Sequence, residues 1–380
     1  MVKNKNIFID AYSLTEGGGK RYLYEFINNL DLLKIDKVYI AFRKIDNTFK
    51  KLKKRNTNKI HLIESKLFNY SILGKFFFKL VSIRFLYHKY QCSHLFVTDG
   101  YTFFFPHKTI LLNQNILPFE KYELNKLEIF LKIKMKILFY LFKYSILKSK
   151  KIIFLSKYAK DLILKTIKYN SNDLNYSVIN HGIDLDVNTS HFINTEQKNE
   201  FDILYVSSFF PYKNHILLIK AFQVLFLKYP HIKLTFVGKF NSYFRDILKP
   251  KFSKFRVLSS NNNFFIKDFV PMSEIFQIYR QSDLFVFPSS CENFPNILLE
   301  AMSCKIPVIS SDYGPMPEII TKKKFLFNHL NVNELVNLIE KFIINKNKIR
   351  EENISFCDQA IKHYNWSRTA EQTIKFILYD

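Results

Sequence analysis

Short runs of β-branched and aromatic residues alternate with longer stretches of helical period along most of the chain, and no other feature constrains the fold as tightly. The runs at 7–10, 37–42, 95–97, 109–112 and 152–155 in the first half, and at 202–206, 233–237, 255–258, 284–287 and 307–310 in the second, are predicted strands. Strands separated by helices pair in parallel through crossover connections rather than as hairpins. The prediction is an α/β chain with two doubly wound domains. A length of 380 residues agrees with that, since one domain takes roughly 100–200.

The segment 184–199 (DLDVNTSHFINTEQKN) is polar and aperiodic and reads as a linker. It sets an N-terminal domain at 1–185 and a C-terminal domain at 186–363, with a helix-like stretch, 364–380, completing the first. That stretch holds Trp366, the only tryptophan, which is expected to be a core anchor. No internal repeat interrupts this organisation.

The chain carries 57 Lys and Arg against 33 acids, a formal net charge of +24, so its expected partners are anionic: phosphates, acidic lipids or nucleic acid. A bias toward AT-rich codons would enrich Lys, Asn, Ile and Phe as well, and charge alone does not choose among the partners. With 41 Phe and 22 Tyr beside only 8 Gly, the chain has the apolar material for two cores, which excludes a disordered protein. Cys92, Cys291, Cys304 and Cys357 form no CxxC pair, so neither a zinc site nor a disulfide framework is expected, and a reducing cytoplasm fits. The apolar run in MVKNKNIFIDAYS is too short for a signal peptide, and no stretch reaches the roughly 18–20 apolar residues of a membrane span.

The most informative stretch is 282–318, SDLFVFPSSCENFPNILLEAMSCKIPVISSDYGPMPE, which reads as strand, loop, helix, strand, loop. In an open parallel sheet the loops leaving strand carboxyl ends form the ligand crevice. Glu292 falls in the first loop and Glu300 in the helix that begins near Phe294–Asn296, so the two acids are expected along one face of one cleft. Read alone, they fit two carboxylates receiving vicinal hydroxyls or two solvated charges. The apolar neighbours of Glu300 in NILLEAM favour the first.

These residues resemble the Glu-x7-Glu signature of glycosyltransferase family 4. The elements occur in order: Pro288-Ser289, Glu292 with Phe294, Leu299-Glu300-Ala301-Met302, Pro307-Val308-Ile309 with Ser311, and Gly314 with Glu318. The resemblance implies a GT-B fold, two Rossmann-like doubly wound domains facing each other across a cleft, with the C-terminal domain holding a nucleotide diphosphate sugar. It implies that Glu300 binds the donor ribose and that Glu292 contacts the transferred sugar. Asn293, Phe294, Pro295, Asn296, Ser208, Gly314 and Val270 complete the implied donor set. Lys213, just before a helix, is expected at the diphosphate. The family has Gly-Arg five residues before this lysine, and here Ser207-Ser208 stand instead, so Lys213 needs help from backbone amides, a second basic residue or a metal.

In the first half, Gly17, Gly18 and Gly19 precede a helix expected over 20–30, and the resemblance places such glycines as a loop toward donor phosphates and acceptor. A His-Asp pair frequent in the family falls here on Gln114 and Asn115, which hydrogen-bond but do not titrate, so no general base is assigned to this domain. Ser156-Lys157 and the turn VINHGID also match; His181 in that turn is read as structural.

The expected function is a retaining transfer of a hexosyl group to a lipid-linked or saccharide acceptor in cell-surface glycan synthesis, with no cofactor and no metal. Two basic, aromatic stretches, 66–90 and 126–151, suit an anionic membrane surface at the inner face of the cytoplasmic membrane. Ordinary core helices are the other reading of them. The competing function is a non-catalytic membrane-surface or nucleic-acid-binding basic protein on a degenerate transferase fold, although no nucleic-acid motif supports nucleic acid as a partner.

Overall fold

A computed structural model describes residues 5–14, 17–45, 49, 58–65, 72–149, 151–170, 174–183, 200–253 and 263–379. The expected linker and the expected strand at 255–258 lie outside them. The chain divides into two compact units. Unit 1 comprises Met1–Leu124, Glu128–Gly182 and Asn365–Asp380, and unit 2 comprises Asn125–Leu127 and Ile183–Tyr364.

Unit 1 contains β1 (Ile7–Asp10), α1 (Gly18–Asn28), β2 (Val38–Phe42), β3 (Ile60–Glu64), α2 (Ile72–Phe77), α3 (Ile83–Lys89), β4 (His94–Val97), β5 (Thr109–Leu112), α4 (Ile129–Lys148), β6 (Lys151–Phe154), α5 (Lys157–Ile167) and β7 (Asn175–Val178). The seven strands form a parallel sheet in the order β3-β2-β1-β4-β5-β6-β7. Helices α2 and α3 run into each other through a π-helical turn, Phe78–Ser82. The inner strands β1, β2, β4 and β5 are buried at every position, as continuous apolar runs covered on both faces must be.

Unit 2 contains β8 (Phe201–Val206), α6 (His215–Lys228), β9 (Ile232–Val237), β10 (Phe264–Lys267), α7 (Met272–Gln281), β11 (Leu284–Phe287), α8 (Asn296–Ser303), β12 (Val308–Ser311), β13 (Leu326–Phe327), α9 (Val332–Ile344) and α10 (Lys346–Ile361). Its six strands form a parallel sheet in the order β10-β9-β8-β11-β12-β13. The predicted α/β class with two doubly wound domains is the architecture observed.

The closing helix, Trp366–Leu378, belongs to unit 1. Trp366 is buried, edge-on to Tyr22 and beside the ring of His181. Gly182 lies so close that a Cβ there would be 2.2 Å from the Trp366 backbone nitrogen, so no other residue fits. His181 is thereby a packing residue of this corner.

Local boundaries depart from expectation at two instructive places. The first helix begins at Gly18, not Lys20, so Gly18 and Gly19 form its first turn and only Gly17, with φ of 78°, lies outside it. Strand β12 begins at Val308 because Pro307 has no N–H for the ladder; its carbonyl instead accepts the Phe285 amide at 2.8 Å.

Candidate active site

In a doubly wound sheet the ligand crevice opens where strand order reverses. In unit 2 the reversal lies between β8 and β11, neighbours from which the chain winds outward in opposite directions. The loop leaving β8 makes a 3-10 turn, Pro211–Lys213, and enters α6 through Asn214, which adopts the left-handed conformation. The buried Tyr205 hydroxyl donates to the Lys213 carbonyl at 2.9 Å and fixes the lysine at the mouth of the crevice.

The loop leaving β11 is stitched to the first. The Ser290 amide donates to the Tyr212 carbonyl at 2.8 Å, and Asn214 Nδ2 donates to the Pro288 carbonyl at 3.0 Å. The outcome is an ion pair between Lys213 Nζ and Glu292 Oε1, with only 13% and 12% of the two side chains exposed. Sequence reasoning had assigned both residues to the donor but not to each other.

Helix α8 follows this loop with Pro295 at its N-cap position and no side-chain cap; the Leu298 amide donates to the Pro295 carbonyl at 3.1 Å. Glu300, one turn into α8, is buried and accepts a hydrogen bond from the Tyr279 hydroxyl at 3.4 Å. Because Glu292 lies before the helix, helical periodicity does not align the two acids. Each is set by its own partner, Lys213 from the β8 loop and Tyr279 from α7.

The rest of the implied donor set is distributed around these loops. Asn293, Phe294 and Pro295 are buried, Asn296 is half-buried, and the Phe294 ring lies against Tyr364. Gly314 takes a φ of 66° in the turn after β12. Ser208 is exposed directly after β8. Val270 is half-buried after β10, at the edge of the sheet.

Next to Lys213, His215 is buried among Tyr205, Phe209 and Phe236, and neither ring nitrogen has a hydrogen-bond partner. Burial first, and the neighbouring Lys213 charge second, push its pKa down to about 3, so it is neutral.

In unit 1 the reversal lies between β1 and β4. There Lys79, fully buried in the π-helical turn, directs its ammonium to Asp10 Oδ2 at 2.6 Å, Asp99 Oδ1 at 2.7 Å and the Tyr101 carbonyl at 2.9 Å. All three ammonium donors are thereby used. Burial raises the Asp10 pKa against the pull of Lys79, whereas at Asp99 burial is outweighed by Lys79 and Lys75 and the carboxyl is held below its usual range. The network continues outward. Thr98 Oγ1 donates to the Asp10 carbonyl at 2.7 Å, and Gln114 Nε2 donates to the Thr98 carbonyl at 2.8 Å. The Gln114 side chain packs on Gly19, where a Cβ would lie 2.9 Å from Gln114 Oε1. Gly19 and Gln114 are thus brought together, while Asn115 Oδ1 accepts the Leu117 amide at 3.1 Å and shapes its own loop.

Sequence reading missed this ion triad. Its signals were an aspartate closing each apolar strand region (IFID, FVTDG) and a lysine inside FFFKLV, where a buried ammonium requires carboxylates. Among the described residues no group of three or more His, Cys, Asp or Glu side chains is placed to hold a metal ion.

Residues 186–356 match the family model described as glycosyl transferases group 1. The matched segment lies within unit 2. The chain is 27% identical over 120 residues to alpha-maltose-1-phosphate synthase of Mycolicibacterium smegmatis, covering 30% of this chain and 31% of the synthase. It is 30% identical over 160 residues to protein CapJ of Staphylococcus aureus, covering 42% and 39%. The matches therefore span about a third of each relative's length. Among solved structures, HepE of Anabaena, crystallised with UDP and glucose, superposes over 98% of this chain and 99% of its own with a TM-score of 0.71 at 16% identity. WaaG, described as a glycosyltransferase of lipopolysaccharide biosynthesis, covers 98% and 100% with a TM-score of 0.71 at 13% identity. At such identities the likeness speaks for fold, and the fold is GT-B. The matched segment, 186–356, contains every site element that the Glu-x7-Glu resemblance had singled out in the second half of the chain.

Proposed function

We propose that the chain is a retaining glycosyltransferase that moves a hexosyl group from a nucleotide diphosphate sugar to a glycan or lipid-linked acceptor. The observation that carries this reading is the Lys213–Glu292 pair at the β8/β11 reversal, inside the segment that matches group 1 glycosyl transferases, with Glu300 buried one turn into α8. A glycosyl transition state gathers positive charge on the sugar and negative charge on the departing diphosphate. Glu292 and Lys213 offer fixed charge of the required sign to each, and the uncapped first turn of α8 offers amide donors.

In this reading the bond from the anomeric carbon to the diphosphate oxygen breaks as a bond to the acceptor oxygen forms on the same face. The acceptor proton passes to the leaving diphosphate, so no side-chain base is needed. Glu300 holds the ribose hydroxyls. Neither a cofactor nor a metal is assigned to the reaction.

The acceptor side is proposed to lie at an anionic membrane surface. On α2 and α3, Phe76, Phe77, Leu80, Val81 and Phe85 are exposed, and on α4 so are Ile129, Phe130, Ile133 and Ile137. Core packing therefore does not account for these apolar side chains. Exposed Arg84, Lys89, Lys134, Lys136 and Lys148 are interleaved with them, the composition of an interfacial helix. Leu80, Val81, Arg84, Phe85, His88 and Lys89 line an open groove of about 540 Å³. No helix among the described residues is long and apolar enough to cross a membrane. Work in cell-surface glycan assembly at the inner face of the cytoplasmic membrane follows as part of the proposal.

The test is transfer from a panel of nucleotide sugars to membrane glycolipid extracts, with the anomeric configuration of the product read by NMR. Retained configuration is expected; an inverted product, or binding of RNA with no donor turned over, would overturn the reading.

A further inference from the structure

Lys213 is the one cation so far placed at the donor diphosphate, and it is already paired with Glu292. The pair brings no net charge to the loops of β8 and β11, and a diphosphate adds negative charge there. Binding one there requires further positive charge.

The adjoining loop has it. Strands β8 and β9 pair in register from Phe201↔Ile232 to Val206↔Val237, so the loops that follow leave the sheet side by side. They remain in contact. A Cβ on Gly238 would lie 1.9 Å from the Ser207 carbonyl oxygen, so the two backbones touch where only glycine is tolerated. Two residues on from Lys239, Asn241 Nδ2 donates to the Phe209 carbonyl at 2.6 Å. Lys239 lies between these two ties and is exposed, alongside exposed Ser208. Its charge is felt by Asp268, whose carboxyl is held below its usual range first by the amides of Phe240 and Phe269 and then by Lys239. Asp268 is exposed and accepts those amides at 3.0 and 2.6 Å.

We propose that Lys239 supplies the second cation of the donor diphosphate site, replacing from the β9 loop the arginine that is missing at Ser208. The diphosphate is then held between Lys213 and Lys239, at the carboxyl ends of adjacent strands. A lysine suits this place because it acts as a mobile point charge rather than a fixed fork. The inference rests on the reading of unit 2 as the donor-binding domain.

The experiment is calorimetric titration of the full chain with UDP, GDP, ADP and dTDP, followed by the monophosphate and nucleoside of whichever binds tightest. Lys239→Ala is expected to weaken the diphosphate about 10-fold or more while leaving the nucleoside within about two-fold. Ser208→Arg added to Lys239→Ala is expected to recover most of the loss. Lys267→Ala, one strand further out, is expected to stay within about two-fold of wild type. An unchanged diphosphate affinity in Lys239→Ala overturns the proposal, as does an equal loss in Lys267→Ala, which would mark a diffuse field. Diphosphate binding that requires added Mg²⁺ and ignores Lys239 overturns it as well. If Glu300→Ala abolishes binding while Lys239→Ala does not, only this inference fails; if no diphosphate binds wild type, the donor reading fails with it.

Discussion

The ammonium of Lys213 and Oε1 of Glu292 meet at the point where the strand order of unit 2 reverses, one delivered by the loop of β8 and the other by the loop of β11. Each neutralises the other while no ligand is bound. In the proposed reaction a diphosphate entering the crevice competes with Glu292 for the lysine and releases the carboxylate toward the sugar.

That competition makes the two roles separable. Glu292→Gln keeps the shape and removes the charge, so turnover is expected to fall about 100-fold or more while nucleoside diphosphate affinity holds or tightens. Steady-state kinetics beside calorimetry reads both quantities. Weakened diphosphate binding with turnover intact would reverse the assignment.

The ion triad of unit 1 is a matter of stability. Lys79→Met leaves Asp10 and Asp99 buried without their cation, which is expected to cost about 3–5 kcal/mol in urea denaturation. Two adjoining carboxyls without a cation bind a proton more tightly, so their folded-state pKa rises and folding favours acid. The deficit relative to wild type is therefore expected to shrink as pH falls from about 7 to about 5. A deficit independent of pH would show that Lys79 acts by packing alone.

His215 has its pKa lowered from 6.5 to about 3, chiefly by burial. The unfolded chain takes up a proton near the ordinary value that the folded chain refuses. The stability contributed by neutral His215 is thus present above 6.5 and is lost as pH falls from 6.5 toward 3. His215→Phe is expected to flatten this acid limb of Tm against pH. An unchanged limb would place the acid sensitivity elsewhere, with His94, lowered to about 4 mainly by burial, as the next group to replace.

For the helices proposed to face lipid, vesicles of phosphatidylglycerol provide the readout. Phe85→Glu with Ile133→Glu is expected to reduce cosedimentation about 10-fold or more, with diphosphate affinity unchanged. Equal binding by the double variant would remove the apolar face from the account.

Every strand expected from the sequence that falls on described residues is present, and the strands that were missed are the four sheet edges, β3, β7, β10 and β13. Inner strands are mostly apolar because both faces are covered. An edge such as β7, NYSV, or the two-residue β13 lacks that run and is defined by pairing to a neighbour. The residues assigned to the donor come mostly from one stretch of chain, 282–318, with Ser208 and Lys213 on the adjoining strand loop and Val270 after β10. The Lys79 triad was not, since Asp10, Lys79 and Asp99 are joined only when α2 and α3 cross over to the carboxyl ends of β1 and β4. Gly18 and Gly19 were read as loop because glycine signals a turn more strongly than a helix start, yet both are helical and Gly19 packs against Gln114.

The central claim is that buried Glu300 holds the ribose of a nucleotide sugar in unit 2. Its most direct measurement is calorimetric affinity for the best-binding nucleotide sugar in wild type and in Glu300→Ala. The account predicts saturable binding to wild type and a loss of about 100-fold in the variant. Equal affinity in both, or no nucleotide sugar bound by wild type, would contradict it.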